Sequence, residues 1–232
     1  MTRASDPGAI REMFDSIARR YDLMNRLITY GRDRAWRHHL VRAAALPPGG
    51  RLLDLGAGTG DVAREALVRH PELSLVVAGD LSEAMLRVGQ RRTGGDGIHP
   101  CLVDALELPF ADATFDAVTS AYLARNVADP ERMFREQVRV VRPGCRVVCL
   151  DTTPPPPGAL APLVALQMRV VIPLLGRLVA GNAAAYRYLP RSSRAFLAPE
   201  ALAGLMRRAG LGQVQHRSFM LGTQALHVGT RP

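Results

Sequence analysis

The chain has 232 residues, 47% of them hydrophobic and 22% charged, which suits one globular core and excludes wholesale disorder or two independent domains. Its formal charge of +9 comes from 30 arginines and no lysine, a mark of biased codon usage, and these arginines lack the aromatic interleaving of a nucleic-acid surface. Cys101, Cys145 and Cys149 give neither a disulfide framework nor a zinc pattern, so a reducing, cytoplasmic setting is favoured, with at most a weak attraction to the inner face of an anionic membrane.

Met1 to Gly8 has no hydrophobic signal core. Apolar and aromatic residues from Ile10 to Leu27 (Met13, Phe14, Ile17, Tyr21, Met24) recur at helical intervals and predict one helix; Asp33 to Leu46 predicts a second, stopped by Pro47-Pro48-Gly49-Gly50. The pair can cover the ligand edge of the sheet that follows. Tyr21, Asp22 and Asn25 are polar enough to shape a cavity there, and packing and capping account for them equally well.

The stretch RLLDLGAGTGD, Arg51 to Asp61, reads as strand, turn and helix. Gly56, Gly58 and Gly60 lack a Cβ and let a ligand approach the backbone at the turn. The turn has neither the Gly-Lys-Ser/Thr ending of a phosphate loop nor the spacing of a dinucleotide fingerprint, and an acid, Asp54, stands at its entrance. A carboxylate there suits a positively charged ligand better than a pyrophosphate. S-adenosylmethionine (SAM), with its ammonium and sulfonium, has that character.

Val62 to Arg69 predicts a helix, and Leu75 to Ala78 a buried parallel strand ending at Asp80, where the ribose hydroxyls of such a ligand would be received. Ser82 caps the next helix, on which Met85 can meet an adenine edge or simply pack. Cys101 to Val103 is a short strand candidate, followed by Asp104-Ala105, placed either to read the adenine amino group and ring or to cap a helix. Phe115 to Ser120 is a further strand, and Ala121 to Val127 should lie at its ligand edge. Asp129-Pro130 opens a helix that Pro143-Gly144 ends before the strand Arg146 to Leu150.

From Asp151 the pattern changes. Four prolines, Pro154 to Pro157, precede an apolar run from Leu160 to Val179 that can close over a greasy substrate, form a dimer surface or touch a membrane; Pro162 and Arg169 interrupt it, so it does not read as a spanning helix. Pro199 opens a helix over Glu200 to Arg208, and Leu211 to Phe219 with Ala225 to Gly229 form an antiparallel hairpin around Leu221-Gly222-Thr223. The expected architecture is α/β: a Rossmann-like, doubly wound sheet in one domain of 232 residues. Residues 1–48 form a helical cover, 51–152 the cofactor-binding core, 153–198 a helical cap insertion, and 199–232 a helix and hairpin completing the sheet.

The ordered set FDSIARRYDLMN, RLLDLGAGTGD, Asp80, DALELPFADATFD, ARNVADP, RVVRPG, AYRYL and ALHVGT resembles the class I SAM-dependent methyltransferases, and among them the ubiquinone/menaquinone-biosynthesis C-methyltransferase family. The resemblance runs from about Met13 to the C-terminus. It implies a seven-stranded SAM-binding fold that methylates a ring carbon of a reduced prenylated quinol, most simply demethylmenaquinol to menaquinol, releasing S-adenosylhomocysteine. It also implies Asp54, Gly56, Ala57, Gly58, Thr59, Gly60, Asp80, Leu81, Met85, Asp104, Ala105 and Ala121 at the cofactor. Arg125 and Asn126, with Tyr21 and Asp22, fall at the reacting groups. Tyr21, Met24, Asn25, Tyr122, Arg125, Tyr186 and Tyr188 fall at the substrate. Homodimerisation is raised above an unknown only by this resemblance, and no metal is expected.

Asp33, Ala121, Cys145, Asp151, Thr153 and Arg191 depart from the family pattern. These departures leave the cofactor reading intact and keep open another lipophilic phenol or specialised metabolite as acceptor. A noncatalytic SAM-binding protein is the remaining alternative. Attack by a ring carbon calls for an electron-rich quinol, in its phenolate form, and a positive group near the oxygen would stabilise that charge. Arg125 is the first candidate for that group, acting through its charge rather than as a base; a purely structural ion pair is the competing role. Tyr21, Tyr122, Tyr186 and Asp22 are all candidates to relay the proton.

Overall fold

A computed structural model describes residues 7–93, 97–154, 161–175, 188 and 191–232. Seven strands form one sheet: β1 (Arg51–Leu55), β2 (Leu75–Asp80), β3 (Ile98–Leu102), β4 (Phe115–Ala121), β5 (Val141–Thr152), β6 (Gly212–Phe219) and β7 (Gln224–Thr230), in the order β3-β2-β1-β4-β5-β7-β6. The first five pair in parallel, and β7 runs antiparallel between β5 and β6. Chain order reverses between β1 and β4, which opens a crevice at the carboxyl ends of those strands.

Both sheet faces are covered, and the side-chain period of a strand shows how. On one face Leu52, Val76, Ala117, Val148 and Leu150 pack with Trp36, Leu40 and Val41 of α3 (Asp33–Ala44) and Val62 and Ala66 of α4 (Asp61–Arg69). On the other, Leu53, Leu55, Val118, Val147 and Cys149 pack with Met133 and Phe134 of α6 (Pro130–Val140) and with Leu202 and Met206 of a C-terminal helix, Pro199–Arg208. Asp129 caps α6 by accepting the Arg132 N–H at 2.9 Å.

A third cluster sits at the ligand edge. Ile17 of α1 (Pro7–Ile17), Ala18 in the turn after it and Met24 of α2 (Tyr21–Ile28) pack with Met85 of α5 (Glu83–Thr93), and with Val164 and Ile172 of the insertion. The insertion is helical over Ala161–Leu175, with a π-helical stretch at Gln167–Val171. Its Gln167 amide donates to the Ile28 carbonyl at 3.2 Å, tying it to the end of α2. Among the described residues no helix is long and apolar enough to cross a membrane.

Three expectations of local structure change. The single helix from Ile10 to Leu27 is broken by a 3-10 turn at Ala18–Arg20, where there is neither glycine nor proline. The strand beginning at Cys101 starts instead at Ile98, because β3 is an edge strand and tolerates Pro100. β5 follows α6 directly at Val141, and its register on β4 shifts between Phe115 and Ala117 while Gly144 takes φ +77°. Pro143-Gly144 is therefore a kink within the strand rather than a loop before it.

Candidate active site

The backbone of the glycine turn favours residues without a side chain. Gly56, Gly58 and Gly60 have φ of +63°, +56° and +77°. A Cβ on Gly56 would lie 2.9 Å from the Leu123 Cβ, and one on Gly58 would project 3.9 Å from the Tyr21 ring. Asp80, at the end of β2, spans the turn: its Oδ2 accepts the Gly58 N–H at 2.7 Å and its Oδ1 the Ser82 N–H at 2.8 Å. Ser82 in turn caps α5, its hydroxyl accepting the Met85 N–H at 3.1 Å.

A cavity of about 880 Å³, open at its mouth, occupies the crevice. Gly56, Gly58, Asp80, Leu81, Met85, Asp104, Ala105, Ala121 and Asn126 line it, together with Phe14, Tyr21 and Tyr122. Asp104 is exposed and accepts the Leu106 N–H at 2.9 Å, so it closes a local turn rather than capping a helix. Leu123 and Val127, within the Ala121 to Val127 segment expected at the ligand edge, line the cavity too, whereas sequence reasoning missed Ile10 and Leu55, apolar residues whose part in the wall depends on the folded path.

Four residues expected at the cofactor do not line this cavity. Asp54 lies behind the turn, 1% exposed, its Oδ1 accepting the Thr119 hydroxyl at 2.8 Å and its Oδ2 without a hydrogen-bond partner among the described residues. Burial pushes its carboxyl up to about 7, against the Thr119 hydrogen bond and with added repulsion from Asp80. Ala57 donates its N–H to the Gly79 carbonyl, Gly60 is the N-cap of α4, and the Thr59 hydroxyl donates to Asp22 at 2.6 Å. Asp22 also pairs with Arg92, so it anchors α2 to the glycine turn and to α5. Met24 is fully buried in the third cluster and reaches neither cavity.

A second cavity, of about 660 Å³, adjoins the first, and Phe14, Tyr21 and Tyr122 face both. Asn25, Thr29, Asp33, Arg125, Thr152, Tyr188 and Gln224 supply its polar wall, and Met13, Ile17 and Ile28 its apolar one. Asp33 is already satisfied, accepting from the Thr29 hydroxyl at 3.0 Å and from Arg37 at 2.7 Å, while Arg37 reaches Asp61 at 2.9 Å. Five other wall atoms are buried without a hydrogen-bond partner among the described residues: Asn25 Nδ2, Tyr122 Oη, Arg125 Nε, Thr152 Oγ1 and Gln224 Oε1. Orphaned polar groups are costly. All five belong to residues that line this one cavity.

Arg125 sits on the 3-10 turn Ala124–Asn126 just past β4. Its guanidinium pairs with Asp151, its N–H donates to the same carboxylate at 3.2 Å, and it stacks 5.3 Å from the Tyr122 ring centroid. Burial works against its charge, and Asp151 more than offsets this, so it stays cationic. The structural ion pair and the cavity-facing role are therefore combined in one side chain. Asn126 donates to the Tyr122 carbonyl at 2.8 Å and accepts the Tyr188 hydroxyl at 3.1 Å, tying two tyrosines together. Burial raises the phenols of Tyr21, Tyr122 and Tyr188, which makes them donors rather than bases at neutral pH. Tyr186 lies outside the described residues.

Residues 1–231 match the profile of the ubiE/COQ5 methyltransferase family. The chain is 47% identical over 225 residues to the ubiquinone/menaquinone biosynthesis C-methyltransferase UbiE of Desulfotalea psychrophila, covering 97% of this chain and 91% of that one. It is 44% identical over 222 residues to the demethylmenaquinone methyltransferase of Thermus thermophilus, covering 95% and 100%. A SAM-dependent methyltransferase from Aquifex aeolicus shares the fold, with a TM-score of 0.64 at 16% identity over 91% of this chain and 98% of that one.

Proposed function

This chain belongs to the ubiE/COQ5 methyltransferase family, and we propose that it methylates a ring carbon of a reduced prenylated quinol, demethylmenaquinol foremost. It is a SAM-dependent methyltransferase. The observation that carries the acceptor reading is the second cavity: apolar on one flank, lined on the other by residues with polar atoms unpartnered among the described residues, and adjoining the cofactor crevice where Tyr21 and Tyr122 line both.

The first cavity fits SAM. The left-handed glycines leave room for close approach, Asp80 keeps acceptor capacity toward the crevice, and the orphaned oxygen of Asp54 lies behind the turn. When bound, SAM supplies an electrophilic methyl on a sulfonium leaving group. The chain's part is to align the acceptor and hold its charge. Arg125, cationic and with Nε free among the described residues, would face the phenolate oxygen as its electron density moves to the ring carbon. Tyr122 and Asn25 would donate to the same head group, and the apolar wall would exclude water. Exposed Leu166, Val170, Val171 and Leu174 on the insertion support peripheral membrane contact, where a prenylated acceptor would be found.

Incubating the purified chain with SAM and a reduced short-chain demethylnaphthoquinol should give a product heavier by one methyl-for-hydrogen exchange, placed on the ring carbon by NMR. A methyl found on oxygen, or on a soluble phenol but on no quinol, would replace this reading with that of a small-molecule methyltransferase.

Asp54 gives the reading a pH signature. With its carboxyl at about 7 in the free protein, it is largely protonated in mildly acidic solution. A bound cation favours the carboxylate, so the complex holds fewer protons and affinity must rise with pH. SAM binding should strengthen by up to about tenfold per unit below a pH of about 7 and level off above it. Asp80 raises this carboxyl and Arg37 lowers it, so both stay intact in the test. Calorimetry across that range should show the slope for the wild type and a shallower one for Asp54→Asn, in which Asp80, raised by burial, still contributes; a slope unchanged in the variant would remove Asp54 from cofactor binding.

A further inference from the structure

The helix α2 is 8 residues long, too short to hold a place of its own, yet it brings Tyr21, Asn25 and Ile28 to the second cavity and ends on Thr29, which lines it as well. Both of its ends are tied to the glycine turn. At the start, Asp22 accepts the Thr59 hydroxyl at 2.6 Å. At the end the tie is indirect. The Thr29 hydroxyl donates to Asp33 Oδ1 at 3.0 Å, Asp33 Oδ2 accepts from Arg37 Nη1 at 2.7 Å, and the same nitrogen lies 2.9 Å from Asp61 Oδ2. Asp61 is the first residue of α4 and follows Gly60 directly. Arg37 itself lines neither cavity.

Stability alone is a poor account of this arrangement. The side chains of Arg37 and Asp33 are 10% and 2% exposed, and at such depth the lost hydration offsets most of what an ion pair returns, so an apolar contact of equal volume would serve the fold as well. On α3 such contacts are already made by Trp36, Leu40 and Val41. What two carboxylates on one guanidinium nitrogen add is a fixed distance between the elements that carry them. Methyl transfer depends on such a distance, because donor and acceptor must meet in line and in contact. We propose that Arg37 is a positioning residue for methyl transfer: through Asp33 and Asp61 it holds the acceptor wall on α2 in register with the turn that holds the cofactor. The inference deepens the acceptor reading above and rests on it.

The test uses the full chain, saturated with SAM and with the quinol that the wild type methylates, at a temperature where circular dichroism shows each variant fully folded. It reads the single-turnover rate. Arg37→Met with Asp33→Asn removes the pair without stranding a buried charge. This variant should slow the step by about 10–100-fold, the cost of a displacement of up to about 1 Å. Its SAM affinity should stay within about twofold at a pH of about 8.5, where Asp54 is ionised. Because Asp33 lines the second cavity, two further variants locate the effect. Asp61→Ala cuts the link at its far end, outside both cavities, and should slow the step by at least about fivefold. Arg37→Lys keeps one cation for both carboxylates, which a single nitrogen serves in the wild type, and should stay within about threefold of the wild-type rate. A residue that only stabilises the fold would leave the folded variants at the wild-type rate. That result, a loss of SAM affinity as large as the loss of rate, or an Arg37→Lys no faster than the double variant would each overturn the inference. If the double variant does not fold, the rate of Asp61→Ala decides. A wild type that methylates no quinol removes the acceptor reading, and this inference falls with it.

Discussion

Arg125→Ala should lower kcat for quinol methylation by about 10²–10³-fold, the usual consequence of removing one preorganised donor from a developing or delocalising oxyanion. SAM affinity should stay within about twofold, because Arg125 lines the second cavity and not the first. Loss of activity alone would not identify the cause. Arg125 pairs with Asp151, whose side chain is 1% exposed, and stripping one partner from a buried pair costs about 3–5 kcal/mol of stability. The variant would thus be slow and fragile at once.

Arg125→Met with Asp151→Asn separates the two effects. The asparagine oxygen still accepts one of the backbone N–H bonds that Asp151 takes from Arg125 and Thr152, and no buried charge is left over. Thermal unfolding of the double variant should recover most of the loss seen for Arg125→Ala, while methyl transfer stays down by the same factor. A double variant that recovers both stability and turnover would reduce Arg125 to half of a structural pair. An inert double variant with wild-type unfolding and SAM binding would place its cation at the acceptor.

The parts of this site that local sequence made legible are those fixed by backbone demands. Gly56, Gly58 and Gly60 announce a turn because left-handed φ admits little else, and Asp80 was placed by counting one helix and one strand onward. Asp54 shows where such reading stops. Strand parity puts it on the face opposite Leu53 and Leu55, but parity does not give depth, and the carboxylate proves to lie behind the cradle rather than in it. The break at Ala18–Arg20 carries no glycine or proline, and the direction of α2 is held by the ties from Asp22 to Thr59 and Arg92, residues far along the chain. Gln224 was invisible for a topological reason. It begins an antiparallel strand, so the rule that ligands gather at carboxyl ends of strands passes over it, and only its pairing with Thr152 brings it to the crevice.

Asp80→Ala should weaken SAM binding by about 10²-fold or more while leaving the fold intact. A carboxylate offers about four acceptor positions. Two are spent inside the protein, on the N–H groups of Gly58 and Ser82, and they fix the carboxylate at the crevice wall. The remaining lone pairs match the two vicinal hydroxyls of a ribose. Hydrogen bonds to a charged group contribute about 1.5–3 kcal/mol each, so losing two removes at least about 3 kcal/mol, or two decades in Kd. Stability should suffer far less, since the released N–H groups stand beside an open cavity where water can replace the carboxylate. Because the same side chain also shapes the glycine turn, the decisive comparison is between SAM and an analogue without the ribose hydroxyls. Wild type should lose affinity for that analogue, and Asp80→Ala should bind the two ligands nearly alike. If the variant still distinguishes them as strongly as wild type does, the ribose is read elsewhere and Asp80 acts only through the loop it holds.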